Sequence, residues 1–120
     1  YKMAKVFIVN DSALDFSAAE RFGELVICTS GRFDRFDLNQ MHRELSVELE
    51  YSEPEDFILL TSLTTMCVVA CSIFVEKHGR LNLLLFRNVE QDYLSRSIVL
   101  GKKSSRALLD ALTQPIEGNK

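Results

Sequence analysis

At 120 residues the chain has the length of one ordinary domain. Fourteen Lys and Arg against 17 Asp and Glu leave a net charge of −3, with 47% hydrophobic and 26% charged residues. That composition excludes a disordered, coiled-coil or collagenous chain, and without a Lys/Arg block it lacks the electrostatic footprint of a dedicated nucleic-acid binder.

The first predicted element is a buried strand, the β-branched run Lys5 to Asn10, which the turn formers Asn10, Asp11 and Ser12 bring to an end. Asp15 or Ser17 can cap a brief helix through Phe22, stopped by Gly23. A second buried strand covers Glu24 to Thr29, and Ser30-Gly31-Arg32 turns the chain. Asp37 then caps a longer helix whose apolar stripe is Leu38, Met41, Leu45, Val47 and Leu49. The stretch Ser52 to Asp56 breaks it, and its acidic run Glu53–Asp56 reads as a solvated loop.

Phe57 to Leu60 is the third strand, and Thr61 to Thr65 leads into a helix that runs to about Lys77. This helix is apolar nearly all round, which predicts a central position clamped between layers. Gly79 ends it, Leu81 to Phe86 forms a fourth strand, and a connection over Arg87–Asp92 leads to an antiparallel edge strand, Tyr93 to Leu100. After Gly101 comes a linker and a short amphipathic helix with Leu108, Leu109 and Leu112 on one face, ended by Pro115. The uncharged stretch Phe57–Val75 is long enough to span a bilayer, but its Ser and Thr residues and the strand after it favour a strand followed by a helix.

Strands alternating with helices predict an α/β fold, small, three-layered and Rossmann-like. Its mainly parallel sheet has about five strands with an antiparallel edge strand, and a C-terminal helical tail follows. The expected division is a single α/β domain over 1–100 and a linker with the tail over 101–120. Cys28, Cys67 and Cys71 each sit in an apolar run and read as reduced core thiols, without a metal or cofactor. Too few residues precede the first strand to form a signal peptide, so secretion is not expected.

In open α/β sheets ligands bind beyond the carboxyl ends of the strands. The polar residues at those ends are Asn10, Asp11 and Ser12, then Ser30 and Arg32, then Thr61, Ser62 and Thr64, and finally Arg87. The turn over Thr61–Thr65 opens a helix and could hold a phosphate, with Arg32 or Arg87 adding charge. Against this stands the plainer reading that Ser62 or Thr64 only caps the helix and that Asn10 to Ser12 only turn the chain. No glycine-rich phosphate loop is present, and Ser62 lacks the flanking glycines of a nucleophile elbow. Asp11 occupies the place of a phosphotransfer aspartate without the second acidic residue of a magnesium site.

Three stretches, Asp15–Val26, Pro54–Thr61 and His78–Leu85, resemble an uncharacterised family of small α/β proteins encoded by tailed bacteriophages. The resemblance covers about Met3 to Phe86. It implies a viral origin and action in the bacterial cytoplasm or in the virion, and it carries over no catalytic or binding residue. The expected function is that of a phage accessory protein, a homo-oligomeric, non-enzymatic module acting through protein–protein contacts, with Leu108, Leu109 and Leu112 as contact residues. The alternative is a Rossmann-like binder of a nucleotide or other phosphorylated small molecule at the strand ends.

Overall fold

The computed structural model describes residues 3–12 and 14–100. In chain order the elements are β1 (Lys5–Ile8), a 3-10 helix (Ser17–Phe22), β2 (Glu24–Ile27), α1 (Leu38–Glu48), β3 (Phe57–Leu59), α2 (Thr64–His78), β4 (Arg80–Arg87) and β5 (Asp92–Val99). They form one sheet of order β2-β1-β3-β4-β5. β1 pairs in parallel with β2 and β3, β3 in parallel with β4, and β5 runs antiparallel to β4 from Arg80↔Val99 to Arg87↔Asp92. The sheet therefore grows in opposite directions from β1, which makes a topological switch point between β1 and β3. The predicted tail, with Leu108, Leu109 and Leu112, lies outside the described residues.

Strand alternation divides the core between the two faces of the sheet. Phe7, Val9, Ile58 and Leu81 join α1 and α2 in the larger cluster. Val6, Ile8, Leu59 and Leu84 join Phe16, Ala19 and Tyr93 in the smaller one. Both α-helices thus lie on one face, and the other is covered by the six-residue 3-10 helix. The expected three layers reduce to a full helical layer on one side and a single short segment on the other. Arg21 ties that segment across the sheet, donating from Nη2 to the Tyr93 carbonyl at 2.8 Å.

The helices depart from the predicted pattern in two ways. α1 buries Met41 and Leu45, and Leu49 at its C-cap continues the four-residue spacing, while Leu38 and Val47 are exposed. Val47 lies two positions from Leu45, about 200° round the helix, and so cannot share its stripe. α2 buries Met66, Cys67, Ala70, Ile73 and Phe74, but Val68 is 59% exposed, so among the described residues the helix is not clamped on its outer side. Asp37 caps α1 as expected, its Oδ1 accepting from the Gln40 amide. Neither Ser62 nor Thr64 caps α2: Leu63 stands at the N-cap without a side-chain bond. Instead the Thr61 amide donates to the Cys67 Sγ at 3.3 Å. Among the described residues no helix is long and apolar enough to cross a membrane.

The amino ends of the strands are held by buried polar side chains. Asp56, far from solvated, is 2% exposed; its carboxylate accepts from the amides of Lys5 and Glu53, both at 2.8 Å. Asn82 interrupts the apolar run of β4 and donates to the carbonyls of Pro54 and Asp56. At the carboxyl end of α2, the His78 ring lies 2.9 Å from the Ser52 hydroxyl, which donates to the Leu49 carbonyl. Helix α2 is thereby joined to the segment that follows α1.

All three cysteines are free thiols. Burial, with a smaller contribution from the Glu48 charge, pushes the Cys28 thiol up to about 12. Burial and then Cys67 push Cys71 up to about 11. Because both values are raised above the ordinary 9.0, folding favours the protonated thiols. Their contribution to stability is complete below about pH 9 and is lost as pH rises toward 11 and 12. At pH 8 only about a thousandth of Cys71 is thiolate, the form that reacts. Iodoacetamide is therefore expected to modify Cys28 and Cys71 far more slowly in the native protein than in urea, as followed by mass spectrometry; equal rates would refute the shielding.

Candidate functional site

A cleft of about 480 Å³ opens at the carboxyl ends of β1, β3 and β4, on the side of the 3-10 helix. That size lies within the range of small-molecule sites. The segment after β1 contributes Asp15, Phe16 and Ser17, the end of β3 contributes Leu60, Thr61 and Ser62, and the β4–β5 hairpin contributes Phe86, Gln91 and Tyr93. The body is apolar: the edge of one ring of the Phe86–Tyr93 pair meets the face of the other, with centroids 5.2 Å apart. Tyr93 is 3% exposed, and Phe86 is 45% exposed.

Charge in the cleft is negative. Asp15 is the one charged residue on its wall among the described residues. Its Oδ1 accepts from the Ser17 amide at 2.9 Å, and that bond, followed by the Ser17 hydroxyl, holds the carboxyl below its ordinary range. Burial, with the nearby Asp15 charge second, raises the Tyr93 phenol. Tyr93 therefore enters the cleft as a neutral hydroxyl at physiological pH.

The sequence-predicted site residues do not gather in one place. Thr61 and Ser62 line the cleft. Asn10 is buried and points its amide at Thr29, donating from Nδ2 to the threonine Oγ1 at 2.8 Å. The Thr29 hydroxyl lies 2.8 Å from the Val9 carbonyl, and the Asp11 amide donates to the Thr29 carbonyl. These bonds lock the turn after β1 to the turn after β2. The Ser12 hydroxyl is buried without a hydrogen-bond partner, as is that of Thr65. Ser30, Arg32 and Thr64 are exposed and stand off the cleft wall.

Arg87 is also absent from the wall. Its Nε and Nη2 donate to the two oxygens of Asp92, each at 2.9 Å, and Glu90 is 3.8 Å away. The hydrogen bond to Asp92 raises the guanidinium and lowers the carboxylate. Arg87 is thus already paired across the hairpin. Asp15, Phe16, Phe86, Gln91 and Tyr93 escaped the sequence reading, which followed polar residues directly after each strand. Asp15 lies beyond that first turn, and the aromatics read as strand or core. Gln91, with a φ of 56°, takes a left-handed turn conformation that its sequence does not advertise. Among the described residues no three His, Cys, Asp or Glu side chains gather as metal ligands.

A mixed five-stranded sheet with both α-helices on one face, and a cleft at the strand ends, defines a small α/β domain. The chain belongs to the Phage Pam3 gp32-like protein family, whose profile matches residues 4–100. This bears out the phage resemblance and carries it past Phe86, through the hairpin and β5. No curated protein and no solved structure matches the chain.

Proposed function

We propose that the chain is a non-enzymatic phage accessory protein that acts as a homo-oligomer through protein–protein contacts, in the host cytoplasm or in the virion. Strand β5 carries this reading. It forms an outer edge of the sheet along eight residues, whereas β2 at the other edge has four. An edge of this length presents a row of backbone donors and acceptors to a further strand, and monomeric proteins ordinarily blunt such edges. Here the edge ends in apolar side chains: Ile98 is 50%, Val99 72% and Leu100 43% exposed. Two antiparallel copies of one edge strand can pair about a two-fold axis, so the same patch serves both partners.

Light scattering on the full chain after size-exclusion chromatography is expected to give a mass of two or more subunits. The pair of substitutions Ile98→Lys and Val99→Lys should return it to monomer with little change in Tm, since Ile98 is half-exposed and Val99 largely in water. A wild-type monomer at high micromolar concentration would refute the reading. The companion substitutions Leu108→Asp and Leu112→Asp ask whether the segment after Gly101 shares the contact.

A further inference from the structure

The geometry points to a second site of action: the cleft at the carboxyl ends of β1, β3 and β4 binds a small molecule built on a flat ring with a cationic or hydrogen-bond-donating end. Three independent features of the cleft converge on that class. First, it lies beside the switch point between β1 and β3, where an open sheet leaves room between loops that diverge to opposite sides. Second, its walls include Phe16, Leu60 and Phe86, and Phe86 as a residue is 45% exposed. An exposed aromatic face beside a buried one is a platform on which a ring can stack at an offset or edge-on.

Third, among the described residues the wall carries a carboxylate and no cation. Tyr93 on the wall is 3% exposed, and burial, with the Asp15 charge second, raises its phenol, so it offers a neutral hydroxyl. Asp15 adds the one charge on the wall among the described residues, and its Oδ1 accepts from the Ser17 amide. A carboxylate has two oxygens and can accept several bonds, so it retains capacity for a donor from the ligand.

These features favour a cation or neutral donor over an anion. No Lys or Arg lines the cleft among the described residues, and Arg87 is engaged with Asp92. A phosphate there would meet the Asp15 carboxylate with nothing to neutralise it. The occupant is thus a ring compound without phosphates. This site is separate from the apolar end of β5, and either proposal can fail without the other.

Benzamidine and benzoate make the decisive probes, because they share a ring and differ in the sign of the charge beside it. Each is titrated into the isotopically labelled full chain and followed by NMR. Benzamidine is expected to shift the Ser17 amide and the Phe86 and Tyr93 ring signals saturably, with a Kd in the millimolar range usual for so few atoms. Benzoate should leave those signals in place. Asp15→Asn keeps an oxygen for the Ser17 amide and should weaken benzamidine by up to about fivefold, as expected for losing one exposed charge pair. Phe86→Ala, at a half-exposed position, should weaken it as well, and Tm measured on both variants checks that the fold is retained. Absence of saturable shifts at these residues, shifts of equal size from benzoate, or binding indifferent to both substitutions would overturn the proposal.

Discussion

Gly23→Ala is expected to destabilise the protein by about 3 kcal/mol, near the upper end for overpacking, and to lower Tm by roughly 12 °C for a domain near 100 residues. The cause is space. A Cβ on Gly23 would stand 2.3 Å from the Ala4 carbonyl oxygen and 2.8 Å from its carbon. Both are main-chain atoms, so no side-chain rotation relieves the clash. That same carbonyl accepts the Glu24 amide at 2.9 Å, the first bond between β1 and β2. Adding a methyl group must therefore part the two strands where their pairing begins.

Gly31→Ala supplies the control. Gly31 has a φ of +85° and open space around its Cβ position, so alanine there meets only the backbone cost of a left-handed residue, about 1–2 kcal/mol. Thermal melts of the two variants separate the effects. If Gly23→Ala melts within a few degrees of wild type, or if Gly31→Ala is the worse of the two, β1 and β2 are not held at the spacing described.

Gly23 also shows what could and could not be read ahead of the structure. A glycine at the end of a short helical pattern predicts a stop, and the helix does stop there. That the residue is needed for close approach to Ala4 depends on a strand pairing nineteen residues back, from Glu24 to Lys5 and its neighbours. The five strands were legible because buried parallel strands are short apolar runs between turn residues, and because the β5 run alternates. The layering was not. Ser17–Phe22 has the composition of a helical turn, and only the surrounding packing decides that it tightens to a 3-10 helix and leaves that face thinly covered.

The site was legible in position and not in membership. The rule that ligands gather beyond the carboxyl ends of strands pointed to the end of the sheet where the cleft opens, and Thr61 and Ser62 lie on the cleft wall. Yet the polar residues nearest the strands are largely used by the fold. Asn10 is spent on Thr29, and Arg87 on Asp92. In the first turn after a strand, unsatisfied backbone groups are most numerous, so polar side chains there are drawn into satisfying them. The residues that shape the cleft stand further along, at Asp15 and on the hairpin, where only tertiary structure brings them together.

The same competition explains the second large effect, which is expected at Asn82. This residue is 3% exposed on a strand that is otherwise apolar at its centre. Its Nδ2 donates to the Pro54 carbonyl at 2.7 Å and to the Asp56 carbonyl at 2.8 Å. Its Oδ1 accepts from the Arg80 guanidinium, at 3.2 and 3.0 Å, and from the Ser97 hydroxyl at 2.8 Å. One amide thus holds the segment after α1 against β4 and β5. Asn82→Ala leaves two carbonyls and a guanidinium without these partners, and each buried group left unsatisfied costs about 1–3 kcal/mol. The expected loss is about 3 kcal/mol or more in urea denaturation. Ser97→Ala removes a single bond from an exposed hydroxyl, and about 1 kcal/mol or less is expected. Asn82→Asp divides the two roles, since a carboxylate still accepts from Arg80 and Ser97 but cannot donate to Pro54 and Asp56. Because the bond to the Asp56 carbonyl is buried, Asn82→Asp should lose nearly as much as Asn82→Ala at pH 7. Near-wild-type stability in Asn82→Asp would instead transfer the anchoring role from the two carbonyls to Arg80.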